Sequence, residues 1–127
     1  MKKKDIKILL VDDEPDILEI VGYNLTNEGY QVFTAKNGVE GVAMAKKKQP
    51  HLIILDVMMP EMDGIEACET IRTTSGLESS IITFLTARGE DYSQVAGFDA
   101  GADDYITKPI RPKVLVSKVK ALLRRLK

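Results

Sequence analysis

The chain has 127 residues, enough for one domain with its own core. It is 44% hydrophobic and 29% charged, which excludes disorder, collagen-like repeats and coiled coil as its main architecture. With 18 basic against 19 acidic residues the formal charge is -1, so no basic footprint marks the domain as a nucleic-acid binder.

Five short apolar runs punctuate the chain: Ile6–Val11, Gln31–Ala35, His51–Leu55, Ile81–Leu85 and Asp104–Thr107. Most are near-continuous rather than alternating, the pattern of parallel strands covered on both faces. Segments with helical spacing lie between them. The first runs from Pro15 to about Glu28, with Pro15 in the first turn and Gly29 past its end. The second spans Val39 to Lys48 and stops before Pro50. The third starts near Gly64, after Asp63 as its N-cap, and carries Ile65, Cys68 and Ile71. The fourth covers about Glu90 to Ala100, and the fifth begins at Pro112 with Leu115, Val119 and Leu122. Five strand–helix alternations predict a single α/β domain over 1–127, with a parallel sheet, helices on both faces and right-handed crossovers.

The basic stretch from Arg111 to Lys127 reads as the solvated face of the last helix. The lone Cys68 cannot form an internal disulfide, and no Cys/His cluster suits zinc. Cys68 is expected to be a small core residue, and His51, at the start of its strand, a structural one. The run after Lys2, Lys3 and Lys4 is too short for a signal peptide or a membrane span. A soluble, cytoplasmic protein is expected.

Polar residues gather at the strand ends. Strand one ends in Asp12-Asp13, strand three in Asp56, strand four in Thr86 and strand five in Lys108. In open α/β sheets the carboxyl edge is where ligands bind. Three carboxylates brought together there would repel one another and raise at least one pKa. Hard oxygen donors suit Mg²⁺, and a carboxylate beside it can attack phosphorus to form an aspartyl phosphate. A lysine and a threonine hydroxyl are the right groups to receive the phosphoryl oxygens. Met58, Met59 and Met62 are no metal site, because thioethers do not suit Mg²⁺, and are expected to pack the loop after Asp56.

The runs Val11-Asp12-Asp13-Glu14-Pro15, Leu55-Asp56 through Asp63-Gly64, Leu85-Thr86-Ala87-Arg88 and Gly101 through Lys108-Pro109 resemble the response-regulator receiver family. The likeness extends from Ile6 to about Arg125. It implies a CheY-like, flavodoxin-like (βα)5 fold with strand order 2-1-3-4-5. It further implies that Asp56 accepts a phosphoryl group from a histidine kinase. Asp13, Asp56 and the backbone carbonyl of Met58 would contact Mg²⁺, with Asp12 acting through a bound water. Thr86 and Lys108 would hold the phosphoryl group, Lys108–Pro109 would be cis, and Tyr105 would be a switch aromatic coupled to Thr86. Met58 and Arg88 occupy the positions that tune phosphate loss in the family. Neither guides an attacking water well, which implies a long-lived phosphoryl group.

The stretch from Gly101 onward looks most like receivers of the OmpR/PhoB type. These dimerise when phosphorylated through the helix near 90–100, the fifth strand and the last helix. Asp103 and Asp104 against Lys118 and Lys120 match the charge pattern of that face. Gln94 and Val114 depart from it and remove one cross-dimer ion pair. Receivers of this type are followed by a winged-helix DNA-binding domain, so the chain reads as a stand-alone receiver or as the receiver part of a longer transcription regulator.

Other readings fit less well. A haloacid-dehalogenase-like phosphohydrolase would need Asp-x-Asp-x-Thr after strand one, where Asp12-Asp13-Glu14-Pro15-Asp16 stands. An FMN-binding flavodoxin would need a Ser/Thr/Gly-rich loop there. A pseudo-receiver would not require the five expected residues, all of which are present.

Overall fold

The computed structural model describes residues 2–86 and 98–126. Five parallel strands form one sheet: β1 (Lys7–Val11), β2 (Gln31–Ala35), β3 (Leu52–Asp56), β4 (Ile81–Thr86) and β5 (Asp104–Thr107). Their order is β2-β1-β3-β4-β5. The helices are α1 (Pro15–Asn27), α2 (Gly38–Lys48), α3 (Gly64–Arg72) and α4 (Pro112–Leu123). Most of the helix expected over 90–100 lies outside the described residues, which are helical at 98 and 99.

The order follows from the apolar runs. β3 and β4 are buried at every position, and β1 at all but its first, so they take the centre. β2 and β5 carry exposed positions and take the edges. Alternate residues of each strand serve opposite faces. Ile8, Leu10, Leu52 and Ile54 pack with Val21 and Leu25 of α1 and Leu115 and Val119 of α4. Leu9, Val11, Ile53 and Leu55 pack with Val42 of α2 and Ala67, Cys68 and Ile71 of α3. Each fully buried aliphatic side chain contributes about 1.5–3 kcal/mol, so the two layers hold the sheet rigid from both sides.

Local chemistry sets the element ends. Asn37 caps α2 by accepting from Glu40 N at 2.8 Å, and Asp63 caps α3 by accepting from Glu66 N at 2.8 Å. Past α2, Gln49 turns left-handed at φ 51° just before Pro50. Several boundaries differ from the sequence expectation. A 3₁₀ turn forms at Lys3–Asp5, and Ile6 precedes β1 rather than opening it. His51 stays outside β3, where its Nδ1 accepts from Lys7 N at 3.0 Å, while Asp56 joins the strand. Helix α4, for which the sequence marked only a start, ends at Leu123.

One side chain ties the far end of the sheet together. Arg72, at the end of α3, donates through Nε to Gly101 O at 2.8 Å and through its two terminal nitrogens to Ser80 O and to Asp103 Oδ2, the latter at 2.8 Å. Asp103 also accepts from Ile82 N at 2.8 Å and lies 3.7 Å from Arg125. The planar fork of Arg72 thus joins α3, the approach to β4 and the approach to β5. Arg72→Ala would leave partly buried carbonyls without their donors and should destabilise the domain by about 2–3 kcal/mol in urea unfolding. Arg72→Lys should recover less than half of that, because one ammonium cannot span the fork. Equal stability of the native protein and Arg72→Ala would contradict this role.

Candidate functional site

The carboxyl ends of β1 and β3 are neighbours, since Val11 pairs with Leu55. The next residues are therefore forced together. Asp12 is fully buried and Asp56 is 4% exposed, while Asp13 and Glu14 are exposed. Carboxylate oxygens of Asp12, Asp13, Glu14 and Asp56 all lie within 4.8 Å of one another. Asp12 Oδ1 accepts from Glu14 N at 2.8 Å, which curls the chain as it leaves β1. Asp56 Oδ1 accepts from Met58 N at 3.3 Å.

Lys108 follows β5 and brings the one ammonium of the site among the described residues. Its Nζ lies 3.4 Å from Asp12 Oδ2, 3.5 Å from Asp56 Oδ1 and 3.2 Å from Glu14 Oε1. Its backbone is anchored by donation from Lys108 N to Thr86 O at 2.7 Å, and the Lys108–Pro109 bond is cis. Thr86 ends β4 at 1% exposure, one position past the residue paired with Asp56. The structure therefore brings Asp12, Asp13, Asp56, Thr86 and Lys108 to one edge, as the strand ends implied.

Crowded charge shapes the protonation of the site. Burial, and then the neighbouring Asp12 carboxylate, push the Asp56 carboxyl up to about 7. Burial raises Asp12 as well. Burial works against the charge on Lys108, yet the carboxylates of Asp56, Asp12 and Glu14 lift it above the ordinary lysine value. Asp12 Oδ2 and Thr86 Oγ1 are buried without a hydrogen-bond partner among the described residues. A buried carboxylate oxygen without a donor, inside a cluster of hard oxygen ligands, fits a divalent cation.

Two residues support the site in ways that the sequence reading did not assign. Gly64 opens α3 directly against the backbone of Asp56 and Val57, and a Cβ there would collide with the Asp56 carbonyl. Its N–H donates to Val57 O at 2.9 Å and closes the loop that carries Met58. The Asp63-Gly64 pair signals the turn, but not this close approach. Glu14 was read only as part of an acidic run, whereas it hydrogen-bonds Lys108 from 94 residues away.

The methionines separate. Met59 is buried and Met62 packs beside it, but Met58 is 59% exposed and does not fill the loop as expected. Met58 lies in the loop that leaves β3 after Asp56, beside the carboxylate cluster. Arg88 and Gln94 lie outside the described residues. Cys68 is fully buried, and burial pushes its thiol up to about 11. His51 sits at the opposite end of the sheet, where burial lowers its pKa.

Tyr105 is half-buried on β5, in edge-to-face contact with Phe98 at 6.0 Å between centroids. Lys118 lies 5.2 Å above its ring, donates to Tyr105 O at 2.6 Å and sits 3.6 Å from Asp104. The charges expected on a dimer face are paired within the chain here: Asp103 with Arg72, Asp104 with Lys118, and Lys120 with Glu28 at 3.1 Å. Val114 stands 48% exposed on the same side.

The model described as the response regulator receiver domain matches residues 8–120. The chain is 46% identical over 119 residues to the alkaline phosphatase synthesis transcriptional regulatory protein PhoP of Bacillus subtilis (strain 168), covering 94% of this chain and 49% of that protein. It is 42% identical over 119 residues to the DNA-binding dual master transcriptional regulator RpaA of Synechocystis sp. (strain ATCC 27184 / PCC 6803 / Kazusa), with the same two coverages. It spans about half the length of these curated relatives. Among solved structures, the chemotaxis protein CheY4 of Vibrio cholerae matches with a TM-score of 0.89 at 34% identity, over 93% of this chain and 98% of that one. A two-component response regulator from Clostridium difficile matches with a TM-score of 0.89 at 30% identity, over 97% and 99%. Sheet order, site edge and sequence agree, and the chain belongs to the response regulator receiver domain family, the receiver module of two-component signalling.

Proposed function

We propose that Asp56 accepts a phosphoryl group from a histidine kinase and that the charge it adds switches the β5 and α4 face. The observation that carries this reading is the pairing of a nearly buried Asp56 with three further carboxylates and the Lys108 ammonium at one sheet edge. Asp12, Asp13, Asp56 and the Met58 carbonyl would hold Mg²⁺, which would supply charge neutralisation and favour the ionised form of Asp56. An Asp56 carboxylate oxygen would bond to phosphorus as the bond from phosphorus to the donor nitrogen breaks. The leaving imidazole nitrogen would take up a proton from solvent water. Lys108 and Thr86 would receive the phosphoryl oxygens, a task that suits the buried Thr86 hydroxyl, which has no partner among the described residues.

The domain acts as a phosphoacceptor and not as a turnover enzyme, and the exposed, apolar Met58 offers nothing to guide a hydrolytic water. The phosphoryl group is accordingly long-lived. The added charge, about -1.5 to -2, draws Thr86 and lets Tyr105 move inward. The β5 and α4 face then pairs with a second copy, exchanging some of the intrachain contacts of Asp103, Asp104, Lys118 and Lys120 for contacts across the dimer. The names of the transcriptional relatives support an output on DNA through a further domain outside residues 1–127.

Incubation with acetyl phosphate and Mg²⁺ should add a single phosphoryl group by intact mass. The adduct should disappear without Mg²⁺ or in Asp56→Ala, and an adduct that survives Asp56→Ala would refute the assignment. Phosphate-dependent dimerisation, followed by light scattering with a phosphoryl mimic, should weaken in Tyr105→Ala. An unchanged dimer would remove Tyr105 from the switch.

The raised Asp56 pKa also predicts a pH dependence in the metal-free protein. The folded group titrates at about 7 against 3.8 as the ordinary value. Between those values the folded state binds more protons than the unfolded one, so stability falls as pH rises through this window. Asp56→Asn removes the penalty and should be more stable than the native protein at about pH 8, by on the order of 2 kcal/mol. The gain should shrink toward about pH 4, and added Mg²⁺ should raise the melting temperature of the native protein more than that of Asp56→Asn. A pH-independent gain would contradict the burial of an ionisable Asp56.

A further inference from the structure

Lys108 is the one cation among the described residues of a strongly acidic site, and its side chain makes one hydrogen bond there. That bond goes to Glu14 Oε1 at 3.2 Å. Asp12 and Asp56 lie within ion-pair reach, but neither meets hydrogen-bond geometry with the ammonium. Glu14 is the outermost of the three partners: its side chain is 58% exposed, against 0% for Asp12 and 6% for Asp56. It also has no other side-chain hydrogen bond among the described residues. Its backbone N–H is tied to Asp12, so the direction in which its side chain leaves the strand is set by the turn after β1. The ammonium therefore lies between an exposed carboxylate, which takes its hydrogen bond, and the two buried ones.

We propose that Glu14 is a positioning residue that holds the Lys108 ammonium at the rim and competes with the incoming phosphoryl group for it. This rests on the reading of Asp56 as phosphoacceptor. A phosphoryl oxygen on Asp56 gains Lys108 only as Glu14 gives it up. Glu14 can do so at little cost, because an exposed carboxylate regains its hydration when the pair opens. Asp12 could not serve in this way, since it is buried and would be left without compensation. Glu14 thus sets a threshold on occupancy of the site. It keeps Lys108 near the site in the resting protein, and lowers the affinity for a phosphoryl-like anion.

The test is a double-mutant cycle on the intact chain. The probe is beryllofluoride, a non-covalent phosphoryl mimic, with Mg²⁺ saturating and fluorine NMR at millimolar protein as the readout. Glu14→Gln keeps the side-chain length and removes the charge. It should bind the probe roughly two- to five-fold more tightly than the native chain, the range set by an exposed ion pair. In a Lys108→Ala background the same substitution should give no gain, because no ammonium is left to compete for. A gain of equal size in that background would mean that Glu14 merely repels the anion, and would overturn the proposal. Unchanged or weaker binding in Glu14→Gln would overturn it as well. If the native chain fails to bind the probe at all, the phosphoacceptor reading fails rather than the role of Glu14. A change in Mg²⁺ affinity large enough to account for the gain, measured separately by calorimetry, would assign Glu14 to the metal instead.

Discussion

Among the described residues, four carboxylates converge where β1 and β3 end, and one ammonium answers them. The parallel arrangement compels this meeting. Neighbouring strands that run the same way deliver their next residues to the same edge, and the chain places acids after both. Two of those acids are buried, so water cannot relieve their repulsion. The site is thus held under electrostatic tension. A bound cation, a proton or a rearranged Lys108 each changes the balance, and that sensitivity suits a module whose task is to register one added phosphoryl group.

The rest of the molecule resists that tension. Helices cover both faces of the sheet, so the strand ends cannot splay to separate the charges. Gly64 lets α3 press directly on the backbone of Asp56, which fixes the loop between the acid and the Met58 carbonyl. At the other end of α3, Arg72 binds the approaches to β4 and β5 through a three-way fork. Helix α3 therefore runs from the carboxylate cluster to the approach to the strand bearing Tyr105. Around Tyr105 the described residues leave a half-buried ring with one aromatic neighbour and a lysine that bridges to Asp104.

Much of this was legible residue by residue. The near-continuous apolar runs marked the strands, Pro15, Asp63 and Pro112 marked helix starts, and the acids, Thr86 and Lys108 at the strand ends marked the edge. Met58 differs from expectation because a methionine next to a buried acid looks like packing, whereas its side chain is exposed while that of Met59 is buried. Asp103 and Lys120 looked free to meet a partner copy, because their intrachain partners Arg72 and Glu28 are far away in the chain. The same distance hid the bond from Lys108 to Glu14.

Periodicity and strand-end chemistry are local properties, so the order of residues alone determined the α/β class, the position of the carboxylate edge and the identity of the five residues at its centre. Which charged group pairs with which depends on distances of a few ångströms between segments far apart in sequence. Only the tertiary structure could decide that Glu14 takes the hydrogen bond of Lys108, that Arg72 claims Asp103 and that Gly64 must leave room for the Asp56 carbonyl. The physical reason is that ion pairs and close packing are set by where the folded layers bring side chains together, and no pattern along the chain encodes those distances directly.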